Sequence, residues 1–163
     1  MRNAMKISSL AAAVVFAGTA SAASTTTNFG VTATVAASCK LSTVPTLDFG
    51  AYDPTTGTNL DASTSITTTC TNTTPYNIGL DAGTSAGATV NSRKMASGSD
   101  TLSYNLYMDS SYTQNWGNTV GSDTVSMTGS GSAQSVTVYG RIPASASANP
   151  GSYSDSILVT VSY

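Results

Sequence analysis

The sequence predicts an all-β protein, an immunoglobulin-like β-sandwich. Two observations carry this prediction. Apolar residues recur with a period of two in short runs separated by Gly, Pro, Asn and Asp turn signals. Beyond residue 22, no segment sustains the 3.6-residue period of a helix.

The first 22 residues stand apart. Arg2 and Lys6 precede an apolar run over 10–17, and Thr19-Ala20-Ser21-Ala22 fits the small-residue pattern of a secretory leader. The apolar part is too short to span a bilayer, and cleavage is expected between Ala22 and Ala23. No later stretch is apolar enough for a membrane span. The exported remainder is long enough for one domain with a core.

Residues 28–36 form the first strand pattern, with Phe29, Val31, Ala33 and Val35 alternating with Gly30, Thr32 and Thr34. The segment carries no charge, proline or turn dipeptide, so it is prone to pair at a sheet edge. Short strands are expected at 39–42 and 47–52, on either side of Pro45, and Asp53-Pro54 opens a turn. A strand over 63–71 puts Ile66, Thr68 and Cys70 on one face. After the Asn72–Pro75 turn, Tyr76, Ile78 and Leu80 mark a half-buried strand. Residues 82–91 form a Gly/Ala/Ser-rich loop, and 93–96 a short strand. Residues 101–109 place Leu102, Tyr104, Leu106 and Met108 together. A long loop over 110–122 carries Tyr112 and Trp116. Strands follow over 124–128 and 135–142, then a Pro/Ala connection, and a last strand over 152–163 with Ile157, Val159, Val161 and Tyr163 alternating.

Composition narrows function. Only 9% of residues are charged, and His is absent. After leader removal Lys40, Arg93, Lys94 and Arg141 face eight acidic groups, all aspartate, which leaves no basic patch for nucleic acid. Gly83-Thr84-Ser85-Ala86-Gly87 matches the G-x-S-x-G elbow of hydrolases, but that chemistry needs a histidine base, so no enzymatic activity is expected. The aspartates sit beside turn residues (Asp53, Asp81, Asp109), where Asp caps its own backbone, and no metal or cofactor site is read from them. Tyr104, Tyr107, Tyr112 and Trp116 fit a sandwich core and its rim better than a sugar-binding platform. Asn72-Thr73-Thr74 is a sequon within a turn.

Cys39 and Cys70 are an even pair in an exported chain, so a disulfide is the default; two thiols without His or Glu are too few for a metal. Closing a loop of about 30 residues is worth roughly 3–4 kcal/mol on the chain-entropy model.

One feature is out of place. The last strand pattern runs to Tyr163, so nothing after it pairs with its outer edge, while the first strand precedes Cys39 by only Ala36-Ala37-Ser38, which lack turn residues for a hairpin. An open flank and a spare apolar strand point to an incomplete sandwich completed by a donor strand from a neighbouring subunit, the strand-addition mode of recognition.

The chain resembles the spore coat protein U domain family, which includes pilus subunits of archaic chaperone–usher systems. The resemblance lies in Cys39 after the N-terminal strand, Leu47-Asp-Phe-Gly50-Ala-Tyr, Cys70-Thr-Asn-Thr-Thr-Pro-Tyr76 and Leu102-Ser-Tyr-Asn-Leu-Tyr107. It continues in Trp116-Gly117, Val138-Tyr-Gly-Arg-Ile-Pro143 and Pro150-Gly-Ser-Tyr-Ser-Asp155. It implies an incomplete immunoglobulin-like domain over 37–163 preceded by a donor extension over 23–36. The pocket-filling residues would be Phe29, Val31, Ala33 and Val35. The strand with Ile157, Val159, Val161 and Tyr163 would flank the acceptor groove and be gripped by a periplasmic chaperone, and Cys39–Cys70 would be the family disulfide. The implied partners are like subunits, that chaperone and an outer-membrane usher. The implied role is a shaft subunit of a bacterial surface fibre, or fimbrium, serving adhesion and biofilm formation. A coat protein of the same fold and a monomeric secreted sugar-binding module are the alternatives.

Overall fold

The computed structural model describes Gly18 and residues 20–163; the rest of the leader expected over 1–22 lies outside the described residues. Eight strands follow in order: β1 (Cys39–Leu41), β2 (Leu60–Cys70), β3 (Pro75–Leu80), β4 (Arg93–Ser97), β5 (Asp100–Tyr107), β6 (Val125–Thr128), β7 (Ala133–Ile142) and β8 (Val159–Ser162). They build two antiparallel sheets, β1-β2-β7-β5-β4 and β6-β3-β8, with side chains of the two inner faces interleaved as the core of an immunoglobulin-like sandwich.

The longest ladder is β2 on β7, from Leu60 opposite Ile142 to Thr69 opposite Ala133. The period-two pattern sets the inner faces as expected. Ile66 and Cys70 point inward from β2, Tyr76, Ile78 and Leu80 from β3, Leu102, Tyr104 and Leu106 from β5, and Val138 and Ile142 from β7. Trp116, although in a loop, is fully buried, and its indole N–H donates to the Ile78 carbonyl at 2.8 Å. An aromatic this large is stable inside only with its N–H bonded. The disulfide joins Cys39 to Cys70, which are opposite one another in the β1–β2 ladder.

Two expected strands, over 28–36 and 47–52, are not formed, and the last is shortened. Residues 47–52 are not part of a ladder: the Asp48 carboxylate takes the Gly50 N–H at 2.8 Å and Gly50 turns to φ +69°, so a local turn replaces strand pairing. The last strand is confined to β8. Residues 152–158 are irregular because Ser154 bridges to Ala96 on β4 and the Asp155 carboxylate takes the neighbouring Ser156 N–H.

The described residues up to Thr34 form a unit of their own, and 35–163 contain the sandwich. Described residues 20–38 are in no strand, and Phe29, Val31 and Val35 are more than four-fifths exposed, at 86%, 81% and 87%. Among the described residues, no helix is long and apolar enough to cross a membrane.

Candidate functional site: an open apolar groove

A cavity of about 940 Å³ opens into the sandwich. Two irregular segments form its sides. One is 44–52, contributing Val44, Leu47, Phe49 and Tyr52; the other is 148–157, continuing into β8, with Ala148, Tyr153, Ile157 and Val159. The floor is the core itself: Ile66, Leu80, Leu102, Leu106, Val138 and Ile142. Most of these side chains are aliphatic or aromatic, the lining that an apolar occupant requires.

The first side is anchored at its ends. Thr64 Oγ1 donates to the Pro45 carbonyl at 2.9 Å, and the Tyr52 hydroxyl donates to the Pro143 carbonyl and accepts from the Ala146 N–H, at 2.9 and 2.8 Å. Between these anchors, Leu47 and Phe49 lie on Gly140, where a Cβ would approach Leu47 Cδ1 and Phe49 Cζ to 2.9 Å. Phe49 also meets Tyr104 edge-on, 6.1 Å between centroids. Among the described residues, the backbones of Leu47, Phe49 and Ile157 have no hydrogen-bond partner. Both sides therefore offer unpaired peptide groups beside apolar side chains, which is the surface an added strand requires.

The second side is held from within the domain. Asp81 donates its N–H to the Leu158 carbonyl (3.1 Å), and its carboxylate accepts the Leu158 and Gly83 N–H groups (2.9 and 3.0 Å). The Asp155 carboxylate accepts from the Thr84 N–H and hydroxyl, at 2.8 and 2.9 Å, and from the Tyr104 hydroxyl at 2.7 Å. Burial pushes the Asp155 carboxyl up, but the bonds from Thr84, Tyr104 and Ser156 outweigh it and hold the group below its ordinary pKa. Burial and the bond to Asp155 push the Tyr104 phenol up, so it stays a donor.

Beneath these carboxylates lies Arg93, fully buried. Its guanidinium donates to the carbonyls of Asp81, Val90, Leu80 and Trp116, at 2.8, 2.9, 3.1 and 2.6 Å. Burial lowers its pKa, opposed by Tyr104 and the carboxylates of Asp81, Asp155 and Asp123.

Of the residues singled out in the sequence, Ile157 and Val159 line the cavity. Val161 packs against the core further along β8, and Tyr163 is 62% exposed. The four aromatics separate. Tyr104 and Trp116 are core, while Tyr107 and Tyr112 join Tyr139 on the outer face, where Arg141 stacks 3.6 Å over Tyr112 and forms an ion pair with Asp61. Asp53, Asp81 and Asp109 cap their own turns as read. Gly83 and Gly87 fall in turns at positive φ. The sequence assigned no role in the groove to Val44, Tyr52, Arg93 or Asp155. Tyr52 and Asp155 do lie within the stretches that carry the family resemblance, Leu47–Tyr52 and Pro150–Asp155, whereas nothing marks Val44 or Arg93.

Comparison with known proteins places the chain. A family model described as Spore Coat Protein U domain matches residues 25–160. Protein U of Myxococcus xanthus is 32% identical, with the whole of this chain and 98% of that protein aligned. Among solved structures, the fold is similar to a chain of the CsuC–CsuE chaperone–tip adhesion subunit pre-assembly complex, from the archaic chaperone-usher Csu pili of Acinetobacter baumannii. The TM-score is 0.58 at 23% identity, over 80% of this chain and 40% of the other. The present chain thus spans less than half the length of that structural relative.

Proposed function

The chain belongs to the Spore Coat Protein U domain family, and from that premise we propose that it is a structural subunit of a bacterial surface fibre assembled by donor-strand complementation. The observation that carries the reading is the open groove between residues 44–52 and 148–157, together with an exposed apolar alternation at Phe29, Val31, Ala33 and Val35 that is part of no strand. In this reading, residues 23–36 of one copy enter the groove of the next and pair with the unmade peptide groups along its sides. Burying Phe29, Val31, Ala33 and Val35 then contributes on the order of 5–8 kcal/mol by apolar area. A chain carrying both a groove and an extension links on two sides, as a shaft subunit must.

Before assembly a periplasmic chaperone covers the groove, gripping the side that contains Ile157 and Val159, and an outer-membrane usher exchanges it for the next subunit. The fibre stands on the cell surface and serves adhesion and biofilm formation. The fold's likeness to a chain of a chaperone–subunit pilus complex supports these partners.

The test is the assembly state of the chain exported to a periplasm, run unboiled on a gel beside a version lacking 23–36. A heat-sensitive ladder lost on truncation supports the reading, and a soluble monomer from the intact chain overturns it. A coat protein of the same fold is the second reading, favoured by the near full-length match to Protein U. Electron microscopy separates the two: linear polymers belong to the first, amorphous or sheet-like assemblies to the second.

A further inference from the structure

We propose that Asp81 and Asp155 are positioning residues for strand acceptance: two carboxylates that hold residues 155–158 from the domain side, so that the outer edge of this segment stands ready for an incoming strand. The inference rests on the reading of the groove as a strand acceptor and goes beyond it.

The β8–β3 ladder ends with Val159 opposite Leu80. Before Val159 the chain must continue along the groove with no full strand to lean on. The loop after β3 takes the place of that strand. Asp81 bonds both peptide groups of Leu158, one through its own N–H and one through its carboxylate. Asp155 reaches back to the N–H and hydroxyl of Thr84 and to the Tyr104 hydroxyl. The two carboxylates thus tie residues 155 and 158 to residues 81–84, while Ile157 between them makes no backbone hydrogen bond among the described residues. The peptide groups of Ile157 are thus left free next to the held ones of Leu158.

The loop that does the holding is itself fixed. Arg93 donates to the carbonyls of Leu80 and Asp81 from a fully buried position. Gly83 sits at φ +83°, and a Cβ there would overlap the Asp155 carboxylate, so this position admits only glycine without displacing the bracket. An acceptor segment ordered in advance spares the incoming strand the cost of ordering it, and this preorganisation acts on the rate of capture.

The test adds an excess of fluorescein-labelled peptide of residues 23–36 to the full mature chain beginning at Ala23. Association and dissociation are followed by anisotropy, and the urea midpoint is read from Trp116 fluorescence. Asp155→Ala, Asp81→Ala and Gly83→Ala should each slow association about tenfold, with dissociation changed by less than about twofold. Thr84→Val, which removes one hydroxyl donor and keeps the fold, should slow it about threefold. Unchanged association in variants that retain the Trp116 transition overturns the positioning role, as does a dissociation rate that rises in step with lost stability. If the unsubstituted chain does not bind the peptide, the acceptor reading falls and the positioning role falls with it.

Discussion

Phe49 lies directly on Gly140: its Cζ stands 2.9 Å from where a Cβ on that glycine would be. The contact lets the irregular 44–52 segment close down on β7, and it sets the depth of the groove on that side. Gly140→Ala should therefore lift Leu47 and Phe49 off the sheet and cost about 1–3 kcal/mol, the usual range for overpacking. The urea transition of Trp116, the single tryptophan, measures it. An unchanged midpoint would mean that the segment moves aside freely.

Replacing Cys39 and Cys70 together by serine should lower stability by roughly 3–4 kcal/mol, because the denatured chain regains the freedom of the loop between them. Reduction of the unsubstituted protein should give a comparable drop in urea midpoint, and the two effects should not add.

Arg93 satisfies four carbonyls from three loop and strand segments with one planar fork. Lysine has the charge without that reach, so Arg93→Lys leaves buried carbonyls unpaired at about 1–3 kcal/mol each. Denaturant unfolding should place Arg93→Lys well below the parent. If Lys matched Arg, the charge rather than the fork would be what matters.

Stability should fall on acidification through Asp155. Its folded pKa is depressed, so the stabilisation it brings is complete above its unfolded value and is lost as pH falls through the folded one. The loss begins near pH 4 and deepens below it, on the order of the ordinary aspartate range. Urea midpoints measured from neutral pH downward should show a shallower acid limb for Asp155→Asn than for the parent.

Phe29 and Val35 are exposed and lie in no strand. Phe29→Asp or Val35→Asp should abolish the heat-sensitive ladder, since each removes about 1.5–3 kcal/mol of apolar burial and adds a charge to an apolar groove. The Trp116 unfolding midpoint of the domain should stay where it was. A ladder that survives both substitutions would remove 28–36 from the joint.

Much of the sandwich was legible because period-two alternation is a local signal. Ile66 and Cys70, Tyr76 to Leu80, and Leu102 to Leu106 took the inward positions that their spacing required. The segments that form the sides of the groove were misread for the same reason. Leu47, Phe49 and Ile157 alternate as a strand would, but Asp48 and Asp155 draw nearby peptide groups into side-chain bonds that compete with a ladder. That competition depends on partners such as Thr84, distant in sequence from Asp155. Arg93 was read only as one of four cations at the start of a short strand, since nothing in its neighbourhood announces four converging carbonyls.

The Cys39–Cys70 bond also decides where mechanical load enters the domain. β1 holds to β2 over three residues, and Cys39 is the first of them. Tension arriving along the chain ahead of Ser38 would peel so short an edge strand and then strip residues 44–52 from the groove. With the sulfurs joined, that pull passes at Cys39 into the end of β2, which is zipped to β7 from Leu60 to Thr69. The chain between the two cysteines, residues 44–52 included, then lies off the covalent path of that pull.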